Sequence, residues 1–181
     1  MFNILANEAP SSDHCQECHT SSDLHHCLDC LGSPLLCKRC IVTSHCHLPF
    51  HCIQSWTRQY FQPCHLVDLG YIIHLGHHSD PCPSSAKNGC QSTMLCIVDC
   101  NRVFHHQVQW CCCLDAPPLH VQLLQMRFFP AMVERPETVF MFSVLEYFHI
   151  DALECKTLAN NFYNKLRQLT NSAFPHQVPV S

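Results

Sequence analysis

Three Cys-x2-Cys pairs and two spaced histidines dominate the early part of the chain: Cys15-x2-Cys18-x8-Cys27-x2-Cys30-x6-Cys37-x2-Cys40-x4-His45-x5-His51. Each pair sets two sulfurs on one tight turn, close enough to share a single tetrahedral ion. Together these residues supply two closed four-coordinate sites. Closed sites of thiolate and imidazole are structural, because no position is left for a reactive water. Spacing alone leaves the division open. Read sequentially, Cys15, Cys18, Cys27 and Cys30 hold one ion and Cys37, Cys40, His45 and His51 the other. Read as interleaved, the sets are Cys15, Cys18, Cys37, Cys40 and Cys27, Cys30, His45, His51.

Seventeen cysteines in 181 residues imply either disulfides or metal. The sixteen histidines favour metal, since a disulfide scaffold has no need of them, and an odd cysteine total leaves a thiol unpaired. Met1-Phe2-Asn3-Ile4-Leu5 has neither the basic start nor the apolar run of a secretory signal. No apolar run reaches the roughly 18 residues of a membrane span. The expectation is a reduced intracellular chain with zinc as its cofactor, no membrane and no small-molecule substrate. Residues 14–52 hold no long apolar run, so metal does there what a core cannot. Structural zinc is worth roughly 10–16 kcal/mol near neutral pH, against about 5–15 kcal/mol for the stability of a whole domain.

The rest of the chain reads as small α+β. Residues 1–13 form a flexible lead-in, 14–56 the double zinc module, 57–172 a β-rich cysteine-cluster region with C-terminal helices, and 173–181 a tail. Leu66–Gly76 reads as one or two short strands and 79–92 as a loop. Thr93–Asp99 and Val103–Trp110 form a hairpin about Cys100-Asn101-Arg102. A helix is expected from about 138 to 149. Another is expected over Lys156–Thr170, with Leu158, Phe162, Leu166 and Leu169 on one face. A third zinc set can be drawn from Cys82, His105, Cys111 and Cys113, while Cys96 reads as a buried, inert thiol. His14, His19, His25, His26, His47, Cys46 and Cys52 read as surface or packing residues.

Lys and Arg number ten against fourteen carboxylates, for a formal charge of −4, and they are scattered. Bulk electrostatic capture of nucleic acid is therefore excluded, and Lys38-Arg39 is the one pair placed like a phosphate contact. Adjacent histidines such as His77-His78 and His105-His106 point to opposite sides of a strand, so neither pair reads as an enzyme site.

The first array resembles a B-box, whose cross-brace implies the interleaved division. A longer collinear series resembles the CxC-type cysteine-cluster domain associated with KDZ (Kyakuja–Dileera–Zisupton) transposases, which is found mostly in fungal genomes. It runs from Cys15–Cys40 through His45, Pro49-Phe50-His51, Trp56, Leu75-Gly76-His77-His78 and Cys82-Pro83. It continues through Gln122-Leu123-Leu124, Phe129-Pro130-Ala131, Glu134-Arg135-Pro136, Thr138, Lys156, Phe162-Tyr163 and Leu169-Thr170. Asn101-Arg102-Val103-Phe104 departs from the family's Asn-Gly-x-His, displacing the histidine to His105, and Cys46, Cys52, Cys64 and Cys112 look like additions. The resemblance implies an intracellular, nuclear, non-catalytic accessory module of a transposase. Its expected architecture is a B-box-like zinc cross-brace followed by a short antiparallel sheet and C-terminal helices. Its expected partners are DNA, chromatin or a transposase polypeptide, and transposition chemistry is expected to lie outside these residues.

Overall fold

Residues that favour extended chain occur around the Cys-x2-Cys pairs only in short runs, and the first sheet accordingly consists of strands of two to four residues. The computed structural model describes residue 10, residues 12–85 and residues 89–178. Most of the expected lead-in, residues 1–9 and 11, lies outside them. The chain divides between Tyr71 and Ile72.

In the first unit, strands β1 (Leu24–Cys27), β2 (Leu36–Cys37), β3 (Ile53–Trp56) and β4 (Phe61–Cys64) form a sheet in the order β2-β1-β3-β4. Every neighbouring pair in it is antiparallel. Helix α1 (Lys38–Ser44) follows β2 without a break and buries Cys40 and Ile41. A small apolar core of Leu24, Leu36, Ile41, Ile53 and Leu66 packs among the cysteines. Whereas the sequence draws its boundary after residue 56, β3 pairs with β4 across the 57–60 turn and the unit runs on to Tyr71. Tyr71 ends it, donating its hydroxyl to the Cys46 carbonyl at 2.9 Å.

The second unit is built on the expected hairpin, β6 (Ser92–Val98) against β7 (Val103–Gln109). Strands β5 (Ile72–His74), β8 (Phe128–Pro130) and β9 (Thr138–Met141) complete a five-stranded sheet in the order β5-β7-β6-β9-β8. The hairpin and the β8–β9 pair are antiparallel, while β5–β7 and β6–β9 are parallel. Parallel neighbours need long connections, and helix α2 (Leu119–Gln125) lies in the one from β6 to β9. The helix expected from 138 begins later. Thr138–Met141 pairs with strands on both sides, which suits its β-branched Thr138 and Val139, and helix α3 (Phe142–Cys155) starts only after it.

Helix α4 (Ala159–Thr170) matches the expected amphipathic segment, with a narrower buried face than the sequence suggests. Phe162 and Leu166 are buried, whereas Leu158 and Leu169 are 68% and 53% exposed. Phe162 and Leu166 pack with Cys96, Val98, Val103 and Val144, and Val178 joins the same core. The segment read as a tail from residue 173 is thereby anchored. Thr170 locks α4 to the sheet: its hydroxyl accepts the Val103 N–H at 2.8 Å and donates to the Leu166 carbonyl at 2.7 Å.

Leu166→Ala is expected to lower the exchange protection of β6 and β7 amides by an amount equivalent to about 2–5 kcal/mol. Leu158→Ala should stay within about 0.5 kcal/mol. Hydrogen–deuterium exchange on the two variants checks the difference.

Candidate metal centres

A two-residue turn between cysteines brings their sulfurs together locally; the fold must then bring two such turns to one point. In the first unit β2 and α1 carry Cys37 and Cys40 to the Cys15–Cys18 turn. The end of β1 and the turn after it carry Cys27 and Cys30 to His45 and His51. Within each of these groups, Cys15, Cys18, Cys37, Cys40 and Cys27, Cys30, His45, His51, all ligand-type atoms lie within 4.8 Å of one another. The interleaved division is the one present.

Metal–ligand bonds of about 2.3 Å to sulfur and 2.0–2.1 Å to imidazole imply tetrahedral edges of about 3.8 Å between sulfurs and about 3.5 Å between sulfur and nitrogen. The observed separations match. Cys18 Sγ and Cys37 Sγ are 3.6 Å apart. Cys27 Sγ and Cys30 Sγ each stand 3.4 Å from His51 Nδ1, and Cys30 Sγ stands 3.5 Å from His45 Nε2. His45 shows which nitrogen is free. Its Nδ1–H donates to the Ile41 carbonyl at 2.9 Å, which leaves the Nε2 lone pair facing Cys30. The Asp29 N–H donates to Cys27 Sγ at 3.4 Å, and the Asp29 carboxylate accepts the Cys52 N–H at 2.6 Å, bracing that turn.

These thiols differ in how readily they ionise. Burial pushes Cys27 up to about 11 and also raises Cys40. The Thr20 hydroxyl beside Cys18, 3.0 Å from its sulfur, draws Cys18 down to about 6. A divalent cation supplies the positive charge that buried thiolates such as Cys27 and Cys40 otherwise lack. The neighbouring histidines serve other ends. His26 stacks on Phe61 at 4.0 Å and meets Gln54 Oε1 at 2.9 Å, His25 is buried, and His47 is exposed.

A third group forms in the second unit, with a different histidine from the expected one. It contains His77, Cys82, Cys111 and Cys113. His77 Nε2 is 3.2 Å from Cys111 Sγ and 3.5 Å from Cys113 Sγ, while Cys82 Sγ is 3.9 Å and 3.6 Å from the same two sulfurs. His105 sits in mid-strand opposite Cys96. From there β7 runs on to Gln109, about 13 Å at 3.3 Å per residue, before the chain reaches Cys111.

His77 reaches the group through an unusual turn. Gly76, His77, His78 and Ser79 all have positive φ, at 77°, 48°, 56° and 73°. A side chain at Gly76 would be strained there, and its Cβ would meet the Cys111 Cβ at 3.4 Å. The signal for His77 is present in the sequence, as Leu75-Gly76-His77-His78 followed by Cys82-Pro83. Discounting both adjacent-histidine pairs as strand residues hides it, because this pair lies in a turn. Gln122 is a second residue that spacing does not reveal. Only 2% exposed, it accepts the Cys111 N–H at 2.9 Å and donates to the carbonyls of Cys111 and Pro117 at 3.2 Å and 2.9 Å. It thereby clamps the cysteine loop to α2. The backbone N–H of Cys112 leads the contacts that bring Cys82 down to about 6.

One cysteine pair departs from the all-metal reading: Cys90 and Cys112 form a disulfide. Cys111 and Cys113 stand with His77 and Cys82, while Cys112 between them is bonded to Cys90. Cys96 is buried as expected, and burial raises its pKa. Among the described residues no helix is long and apolar enough to cross a membrane.

A family model described as a CxC2 like cysteine cluster associated with KDZ transposases matches residues 66–173. No curated protein and no solved structure matches the chain. The third group falls wholly inside the matched segment, and the first two groups precede it.

His77→Ala is expected to remove one bound zinc per chain, and His105→Ala none. Native mass spectrometry of the two variants under identical zinc buffering decides between the two histidines.

Proposed function

The chain belongs to the family of CxC2-like cysteine clusters associated with KDZ transposases, and on that premise we propose that it is a zinc-stabilised, non-catalytic accessory module of such a transposase. In this reading zinc occupies all three four-residue groups, and the module works in the nucleus, directing a transposase to DNA, chromatin or a protein partner. The observation that carries it is the closure of each group. Four protein donors surround each position, so zinc there shapes the surface and leaves no position for a substrate or an activated water.

DNA is the partner that the charge pattern addresses most directly. Lys38 and Arg39 are both exposed in the first turn of α1, between the donors Cys37 and Cys40. A rigid metal-held turn with two adjacent cations is suited to a phosphate contact, and such contacts position a protein without reading sequence. The remaining cations are scattered, so any affinity rests on few phosphates.

A second reading is supported by the first unit alone. Its interleaved groups and small antiparallel sheet support a B-box-like reading, and they precede the segment matched by the family model. On that reading the unit binds protein, independently of transposition.

Replacing Lys38 and Arg39 together by Glu should weaken duplex binding across sequences and lower the salt slope by about 2, roughly one for each phosphate that is no longer neutralised. Fluorescence anisotropy on a labelled duplex over a salt series measures both. Salt-insensitive or absent duplex binding by the zinc-loaded wild type contradicts the DNA-directed form and favours the protein-binding one.

A further inference from the structure

Cys82 belongs to two groups of donors at once. Its sulfur lies with His77, Cys111 and Cys113, and it also lies with Cys90 and Cys112; within each group all ligand-type atoms are within 4.8 Å of one another. Cys90 and Cys112 are joined to each other, so in this state the second group presents one thiol in place of three. Backbone hydrogen bonds lie beside these cysteines: the Ser85 N–H donates to the Cys82 carbonyl at 2.9 Å and the Gly89 N–H to the Ser85 carbonyl at 3.1 Å. Cys112 is fixed by its place between Cys111 and Cys113, whose loop Gln122 clamps to α2.

We propose that the Cys90–Cys112 disulfide is a reducible gate on a further metal position: once it is broken, the thiolates of Cys82, Cys90 and Cys112 hold one additional zinc, with Cys82 Sγ bridging to the zinc of the third group. The proposal rests on the third-group reading through Cys82 alone. Thiolate sulfur carries lone pairs enough to bind two ions, and three sulfurs make a soft donor set that selects a thiophilic metal. Charge also favours it. Three thiolates and one dication in the third group leave one negative charge; five thiolates and two dications leave the same one. The additional zinc therefore enters without adding to the charge held in a partly buried loop. Three protein donors leave one tetrahedral position for water, which sets this site apart from the closed ones.

The gate opens by ordinary disulfide chemistry. A phosphine attacks one sulfur and the S–S bond breaks, releasing the other as a thiolate. Water then displaces the phosphorus from the first sulfur, giving a phosphine oxide and two thiols. Zinc binding releases the two thiol protons.

The test is native mass spectrometry of the whole chain in zinc buffered by a competing chelator, first without reductant and then after phosphine treatment. The reduced wild type should carry one zinc more than the disulfide-bonded form. Cys90→Ser and Cys112→Ser should each show one unchanging count with and without phosphine. Equal counts in the two wild-type samples would overturn the gate, as would a Cys90→Ser chain that gains an ion on reduction. Cys111→Ser in the disulfide-bonded chain reads the third group separately. Loss of one zinc supports the third group on which the gate rests, and retention counts against the third-group reading itself.

Discussion

Sulfurs gathered at the edge lengths of a tetrahedron repel one another once they ionise, and the need of each set for a central cation is the constraint on which the first unit above all depends. The three groups that meet this condition hold nine cysteines and three histidines between them. In the first unit the remaining apolar core is small and its strands run from two to four residues. Strands so short do not sustain a sheet by themselves. The second unit differs in kind: a five-stranded sheet covered by Phe162, Leu166 and Val144 gives it a core of its own, and its metal group sits in the loops beyond one end of β7.

Much of the first unit is legible in the residues because Cys-x2-Cys is a local signal. Two sulfurs on one turn share an ion wherever the turn lies, so the eight donors can be named from spacing. Their division cannot, because whether Cys37 and Cys40 meet Cys15 or His45 depends on β2 pairing with β1. The third group shows the limit more sharply. Cys82, Cys111 and Cys113 can be named from composition, but the fourth donor is selected by a run of positive φ angles at Gly76–Ser79 that no spacing encodes. In the fold, β-branched Thr138 and Val139 lie inside an apolar run that also suits a helix, and only pairing with β6 and β8 settles their state.

Function follows from the same physics. Closed groups convert a flexible, cysteine-rich segment into a fixed surface, and the residues between the donors become its display. Lys38 and Arg39 lie between Cys37 and Cys40, so a metal held by that group would fix the turn on which the two cations are displayed. Gln122 performs the corresponding service in the second unit, holding the cysteine loop by three hydrogen bonds. The family to which the chain belongs is associated with KDZ transposases, and its matched segment contains the whole of the third group.

The most direct test of the account is zinc K-edge absorption fine structure on the purified, disulfide-bonded chain. One group has four sulfurs, one has two sulfurs and two nitrogens, and one has three sulfurs and a nitrogen. The average first shell should therefore hold three sulfurs at about 2.3 Å and one nitrogen at about 2.0–2.1 Å. A shell dominated by oxygen, or a folded protein that retains no zinc, would contradict the claim that closed thiolate and imidazole sites organise this chain.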